Sequence, residues 1–128
     1  MARMMIISDD ALTADTWQDD HEVLYLDGDA DPDDAVTASA AYKKIMICFA
    51  GTHDGRGFSL ARQLRDAGYK GHLRAMGALV PDQWRHLKKT GFNDIALTAD
   101  QLEKMPIDTW DETKRYVLPD YQHRLMRK

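Results

Sequence analysis

The run Ile45-Met46-Ile47-Cys48-Phe49, followed after a short connection by Asp54-Gly55-Arg56-Gly57-Phe58-Ser59-Leu60-Ala61-Arg62, decides the fold. The first run is a continuous apolar stretch of strand length, the pattern of a strand in a sheet buried on both faces. The second is a Gly-rich turn that opens a helix. In that helix Phe58, Ala61, Leu64 and Ala67 recur as one apolar stripe, Arg62, Arg65 and Asp66 lie away from it, and Gly68 ends it. A strand that passes through a Gly-rich turn into a helix leaves backbone N–H groups at the carboxyl edge of a sheet, where the helix dipole favours an anion. The two glycines allow a sharp turn and a close approach to a ligand, and Arg56 between them adds a forked, permanent positive charge. Function is expected at this edge.

The same strand–helix unit recurs downstream. Residues 72–76 read as a strand closed by Gly77. A helix starts at Pro81 with Asp82 on its dipole, turns Trp84 and Leu87 inward and stops at Gly91. Residues 94–97 form the next strand, and Thr98-Ala99-Asp100-Gln101 has the form of a capping box for a short helix with Leu102 and Met105 inward. A last helix is expected from Asp108, carrying Trp110, Lys114 and Val117 and broken by Pro119, with a loosely held tail over about 120–128. Upstream, residues 4–7 and 22–26 read as strands. The acidic turn over 27–34 lacks the closing glutamate of a calcium loop and is interrupted by Pro32, so it reads as a solvated turn into a helix running to about Tyr42.

Alternating strands and helices with short connections call for one α/β domain built on a mainly parallel sheet. An open, flavodoxin- or Rossmann-like sheet is favoured, and an arc of a (β/α) barrel is the alternative, because the same units build both. In either, the strand-to-helix turns share one carboxyl edge, which makes neighbours of residues 54–59, 77–83 and 98–101.

Composition sets the bounds. With 128 residues, 44% apolar and 30% charged, the chain is sized for a single globular domain. A formal net charge of −4 and the lack of a basic block argue against nucleic-acid binding. The single cysteine, Cys48, excludes an internal disulfide and a cysteine metal set, and it reads as a small core residue. No stretch has the look of a signal peptide or a bilayer span, so a cytoplasmic, reducing setting is expected and no membrane partner.

Several chemistries compete for the edge. Gly55-x-Gly57-x-x-Leu60 is part of a dinucleotide fingerprint, but its third glycine is missing and no acidic residue ends the next strand at the expected distance. An oxyanion or phosphate pocket would use Asp54, Gly55, Arg56, Gly57 and Ser59, with Arg74 as a further cation and Gly77, Asp82 and Gln83 on the same edge. In the purely structural alternative Asp54 caps the turn and Arg56 pairs with Asp54 or Asp82. Arg74, central in a strand, needs Asp54, Asp82 or Asp94 as partner, or a ligand. His53 beside the turn is an exposed loop residue or a proton carrier. The histidines show no metal-ligand spacing, no cofactor is evident, and Trp84 and Trp110 read as core anchors.

These residues resemble a bacterial family, domain of unknown function 934. The likeness runs from Phe49 through Asp54-Gly55-Arg56-Gly57-Phe58-Ser59-Leu60-Ala61-Arg62-Gln63-Leu64-Arg65. It continues through Gly68-Tyr69-Lys70-Gly71-His72-Leu73-Arg74-Ala75-Met76-Gly77, Asp82-Gln83 and Gly91-Phe92-Asn93-Asp94, covering about half the chain. The chain departs from that pattern at Gly77-Ala78, where the family has Gly-Asp, and at Phe49-Ala50-Gly51-Thr52-His53, where it has Phe-Pro-x-Phe-Thr. Family members are described as oxidoreductases involved in sulfite reduction, on the strength of genes that neighbour assimilatory sulfite reductase. The resemblance therefore implies three roles: an accessory protein of sulfur assimilation with an oxyanion-binding edge, a non-catalytic docking partner of sulfite reductase or its electron donor, or a flavin- or nicotinamide-dependent oxidoreductase.

Overall fold

In the computed structural model, residues 4–8, 12–14, 17, 22–51, 55–106 and 109–110 are described. The elements follow in the order β1 Met5–Ile7, β2 Leu12–Ala14, β3 Val23–Asp27, α1 Pro32–Ser39, β4 Lys44–Phe49, α2 Gly55–Asp66, β5 His72–Gly77, a 3-10 turn Pro81–Gln83 running into α3 Trp84–Thr90, β6 Asp94–Leu97 and α4 Ala99–Lys104. The six strands form one sheet in the order β2-β1-β6-β5-β4-β3. Strands β3 to β6 are parallel, each beside its sequence neighbour, while β1 runs antiparallel to both β6 and β2.

That order carries a consequence for binding. A doubly wound sheet reverses its strand order and opens a crevice at the reversal. Here the parallel strands never reverse, and α2 packs between α1 and α3 on one face. The winding is that of a (β/α)-barrel arc, finished on one side by the antiparallel β1–β2 pair. Between sheet and helices lies the main core: Ile45, Ile47, Phe49, Leu73, Ala75, Ile95 and Leu97 from the strands meet Phe58, Leu60, Ala61, Leu64, Trp84 and Leu87 from the helices, with Trp110 fully buried.

The other sheet face carries a smaller cluster of Ile6, Trp17, Val23, Met46 and Ala96. Burial on both faces, as the apolar run of β4 implies, therefore holds for Met46 at 2% exposure but fades toward the β3 edge, where Tyr25 is 53% exposed. Cys48 lies on this face and is half-buried rather than sealed in the core; burial, reinforced by the Asp27 carboxylate, pushes its thiol up.

Local signals account for most boundaries. Asp31 caps α1 by accepting the Asp34 N–H at 3.2 Å, with Pro32 in the first turn. The helix stops at Ser39, short of Tyr42, because its end tightens: Ala41 and Tyr42 donate to carbonyls three residues back, and the Ser39 hydroxyl donates to the Val36 carbonyl at 2.6 Å. Gly68 and Gly91 end α2 and α3 in left-handed conformations with the paired bonds of a Schellman turn. The Thr98–Gln101 capping box is present. The expected helix from Asp108 is described only at Thr109 and Trp110; the remainder and the tail 120–128 lie outside the described residues.

Arg65, placed by the sequence on the polar face of α2, is instead a brace. Its guanidinium donates to the carbonyls of Gly91 at 2.8 and 3.0 Å, Tyr69 at 2.9 Å and Gly71 at 2.8 Å, and to the Asn93 side chain at 2.9 Å. It ties the end of α2 to the amino ends of β5 and β6.

The start of α2 is fixed by a missing side chain. A Cβ on Gly57 would stand 2.5 to 2.9 Å from three carbons of the Phe49 ring, whereas one on Gly55 would meet nothing within 4 Å. Gly57→Ala is therefore expected to destabilise the protein by about 1–3 kcal/mol through overpacking, against its gain in helix propensity. Gly55→Ala is expected to be neutral or stabilising by up to about 1 kcal/mol. Denaturant midpoints of the two variants check this; an unchanged midpoint for Gly57→Ala would contradict the packing role.

Candidate functional site

Because β3 to β6 are parallel, the turns that follow them emerge along one edge. Between the first two lies a cavity of about 320 Å³. Residues 28–32 of the β3–α1 turn line one side, and Arg56, Ser59, Leu60 and Gln63 of α2 line the other.

Each wall is built by short-range chemistry. The Gly28 N–H donates to the Cys48 carbonyl at 2.9 Å, which pins the β3–α1 turn to β4, and the Ala30 N–H closes the turn on the Asp27 carbonyl at 3.0 Å. On the other wall, Gly57 sits on the Phe49 ring and Phe58 packs edge-on against it with ring centres 4.9 Å apart. With those two positions buried inward, Arg56 and Ser59 are left exposed at the cavity. The Gln63 amide donates to the Ser59 hydroxyl oxygen at 3.1 Å, one helical turn away.

The remaining sequence candidates fall elsewhere. Asp54, like His53, lies outside the described residues. Arg74 is on the sheet face opposite the helices, 6% exposed, and of the three acids proposed as partners it takes Asp94: Nε donates to Oδ1 at 2.8 Å and the terminal nitrogen to Oδ2 at 3.1 Å. Trp17 stacks on it, with the guanidinium carbon 3.7 Å from the ring centre, and His72 Nε2 reaches the same carboxylate at 2.9 Å. Gly77 has φ +100°, and a Cβ there would run into the Phe49 carbonyl oxygen. Its own carbonyl accepts the Gln101 amide at 2.6 Å. Gln83 accepts the Val80 N–H at 3.0 Å, and Asp82 is exposed in the first turn. Gly77, Asp82 and Gln83 thus share the edge with Arg56 without lining its cavity.

What sequence reasoning missed is the acidic wall. The turn over 28–32 is the solvated turn into a helix that its composition indicates, yet Asp29 and Asp31 also face α2 across the cavity. The signal was available in the short connection between β3 and β4, which makes the two strands neighbours in the sheet. The site therefore sets a guanidinium, a hydroxyl and an amide against two carboxylates. Among the described residues no group of three or more His, Cys, Asp or Glu side chains is arranged to hold a metal ion. No helix among them is long and apolar enough to cross a membrane.

The Arg74–Asp94 pair generates a test of its own. Burial alone would raise the Asp94 carboxyl, but hydrogen bonds from His72 and Arg74, with the positive charge beside it, outweigh burial and hold it below its ordinary value. A depressed carboxyl stabilises the fold fully above its unfolded pKa, and that contribution is lost as the pH falls below about 4 and through the folded value. Asp94→Asn is expected to cost about 3–5 kcal/mol near neutral pH, since it strands a buried guanidinium, and to remove this acid-dependent component. Denaturation midpoints as a function of pH check both effects.

No curated protein and no solved structure matches the chain. A family model does, over residues 23–127, which takes in the sheet from β3 onward and both walls of the cavity. On that match the chain belongs to the bacterial family of proteins of unknown function DUF934.

Proposed function

We propose that this protein is a cytoplasmic accessory of assimilatory sulfite reduction whose sheet edge binds a small oxyanion: sulfite, sulfate or a phosphate group. The observation that carries the binding half is the cavity at the start of α2, lined by Arg56 and Ser59. A guanidinium offers paired donors to a tetrahedral or pyramidal oxyanion, and the first turn of a twelve-residue helix adds its N–H groups and dipole. The link to sulfite reduction rests on what the family resemblance implies, and co-purification with sulfite reductase tests it.

A second reading, docking on sulfite reductase or its electron donor, is favoured by the sheet face that no helix among the described residues covers, where Tyr25 of β3 is 53% exposed. An oxidoreductase role with a bound flavin or nicotinamide draws less support: Leu60 occupies the position of the third glycine, and the parallel strands lack the order reversal that forms a dinucleotide crevice.

Calorimetric titration with sulfite, sulfate and phosphate is expected to give saturable binding of at least one. Arg56→Ala should weaken it by roughly 10- to 100-fold, the worth of a charge-assisted hydrogen bond. No heat with any of the three would contradict the anion site. If Arg56→Ala leaves unchanged both co-purification with the reductase and its turnover, docking becomes the better reading.

A further inference from the structure

The cavity contains more acceptors than a bare oxyanion can use. Asp31 spends one carboxylate oxygen on the Asp34 N–H at 3.2 Å, while Asp29, exposed in the same turn, takes no part in that cap. One N–H of the Gln63 amide donates to the Ser59 oxygen at 3.1 Å, which leaves the Ser59 hydroxyl hydrogen as a donor and the Gln63 carbonyl oxygen as an acceptor. The polar lining is thus divided, with donors at Arg56 and Ser59 and acceptors at Asp29 and Gln63. Ala30, Pro32 and Leu60 contribute carbon surface beside both.

A free sulfate or phosphate in this space brings no hydroxyl hydrogens to the acceptors. A ligand that is anionic at one end and donates hydroxyl hydrogens at the other satisfies both halves. We infer that the occupant is a phosphorylated sugar with a vicinal diol, its phosphate held by Arg56 and Ser59 and its hydroxyls donating to Asp29 and Gln63. This rests on the anion reading above and specifies the ligand class. The volume of about 320 Å³ is at the lower end of the range for small-molecule sites and suits a pentose phosphate better than a lone anion.

Isothermal titration of the full chain with inorganic phosphate, ribose 5-phosphate and 2-deoxyribose 5-phosphate tests this. Ribose 5-phosphate is expected to bind about tenfold tighter than either of the others, the yield of one hydrogen bond to the charged Asp29 acceptor. Asp29→Asn should erase that margin. Equal affinities for all three ligands in the wild-type protein would overturn the diol inference and leave the anion site standing. Absence of binding by all three, together with none by sulfite or sulfate, would remove both. The wild-type comparison decides the matter even if Asp29→Asn fails to fold.

Discussion

The contact between the Phe49 ring and the bare α-carbon of Gly57 governs the sheet edge that carries the cavity. Phe49 ends β4 at 1% exposure, and its ring also touches Phe58 and Phe92, at centre distances of 4.9 and 5.8 Å. Its carbonyl accepts the Ala78 N–H at 2.9 Å, and the positive φ of Gly77 lets the β5 turn pass against that same carbonyl. One residue thus seats the start of α2 and the end of β5. Since positions 57 and 58 must face it, positions 56 and 59 must face away, and the cavity acquires its donors.

The winding of the sheet decides the rest. Consecutive parallel strands with α1 to α3 on one face separate charges that the sequence presents as a single pool. Arg56 belongs to the edge. Arg74 belongs to the sheet face opposite α1, α2 and α3, locked to Asp94, flanked by His72 and roofed by Trp17. Arg65 belongs to the opposite end, where five hydrogen bonds join α2 to the segments that precede β5 and β6. Three arginines in one stretch of chain do three different things, and only the one on the α2 first turn lines the cavity.

Much of this was legible in the residues. The apolar run 45–49, the glycines at 68 and 91, Pro32, and the box from Thr98 to Gln101 are signals whose physics is local, and each element stands where they put it. Strand β2 was not legible, because three residues are too few to show a period. The end of α1 at Ser39 depends on a hydroxyl competing for a helical carbonyl, which composition does not reveal. The placement of Arg74 needed non-local information. Alternation in His72-Leu73-Arg74-Ala75-Met76 puts it on one face with its even-numbered neighbours, but which face the helices cover depends on strand order. The acidic wall was overlooked rather than hidden: its composition describes a turn, and the short connection from β3 to β4 is the signal that pairs the two strands and brings that turn to Arg56.

The most direct measurement of whether the edge is a binding site is a two-dimensional amide NMR titration of the labelled protein with phosphate or sulfite. The account predicts that the largest shifts fall on two separated segments, residues 28–31 and 55–60, because the cavity lies between them. Shifts concentrated instead around Lys44, His72 and Arg74, on the other sheet face, would contradict it, as would a titration that moves no amide at all.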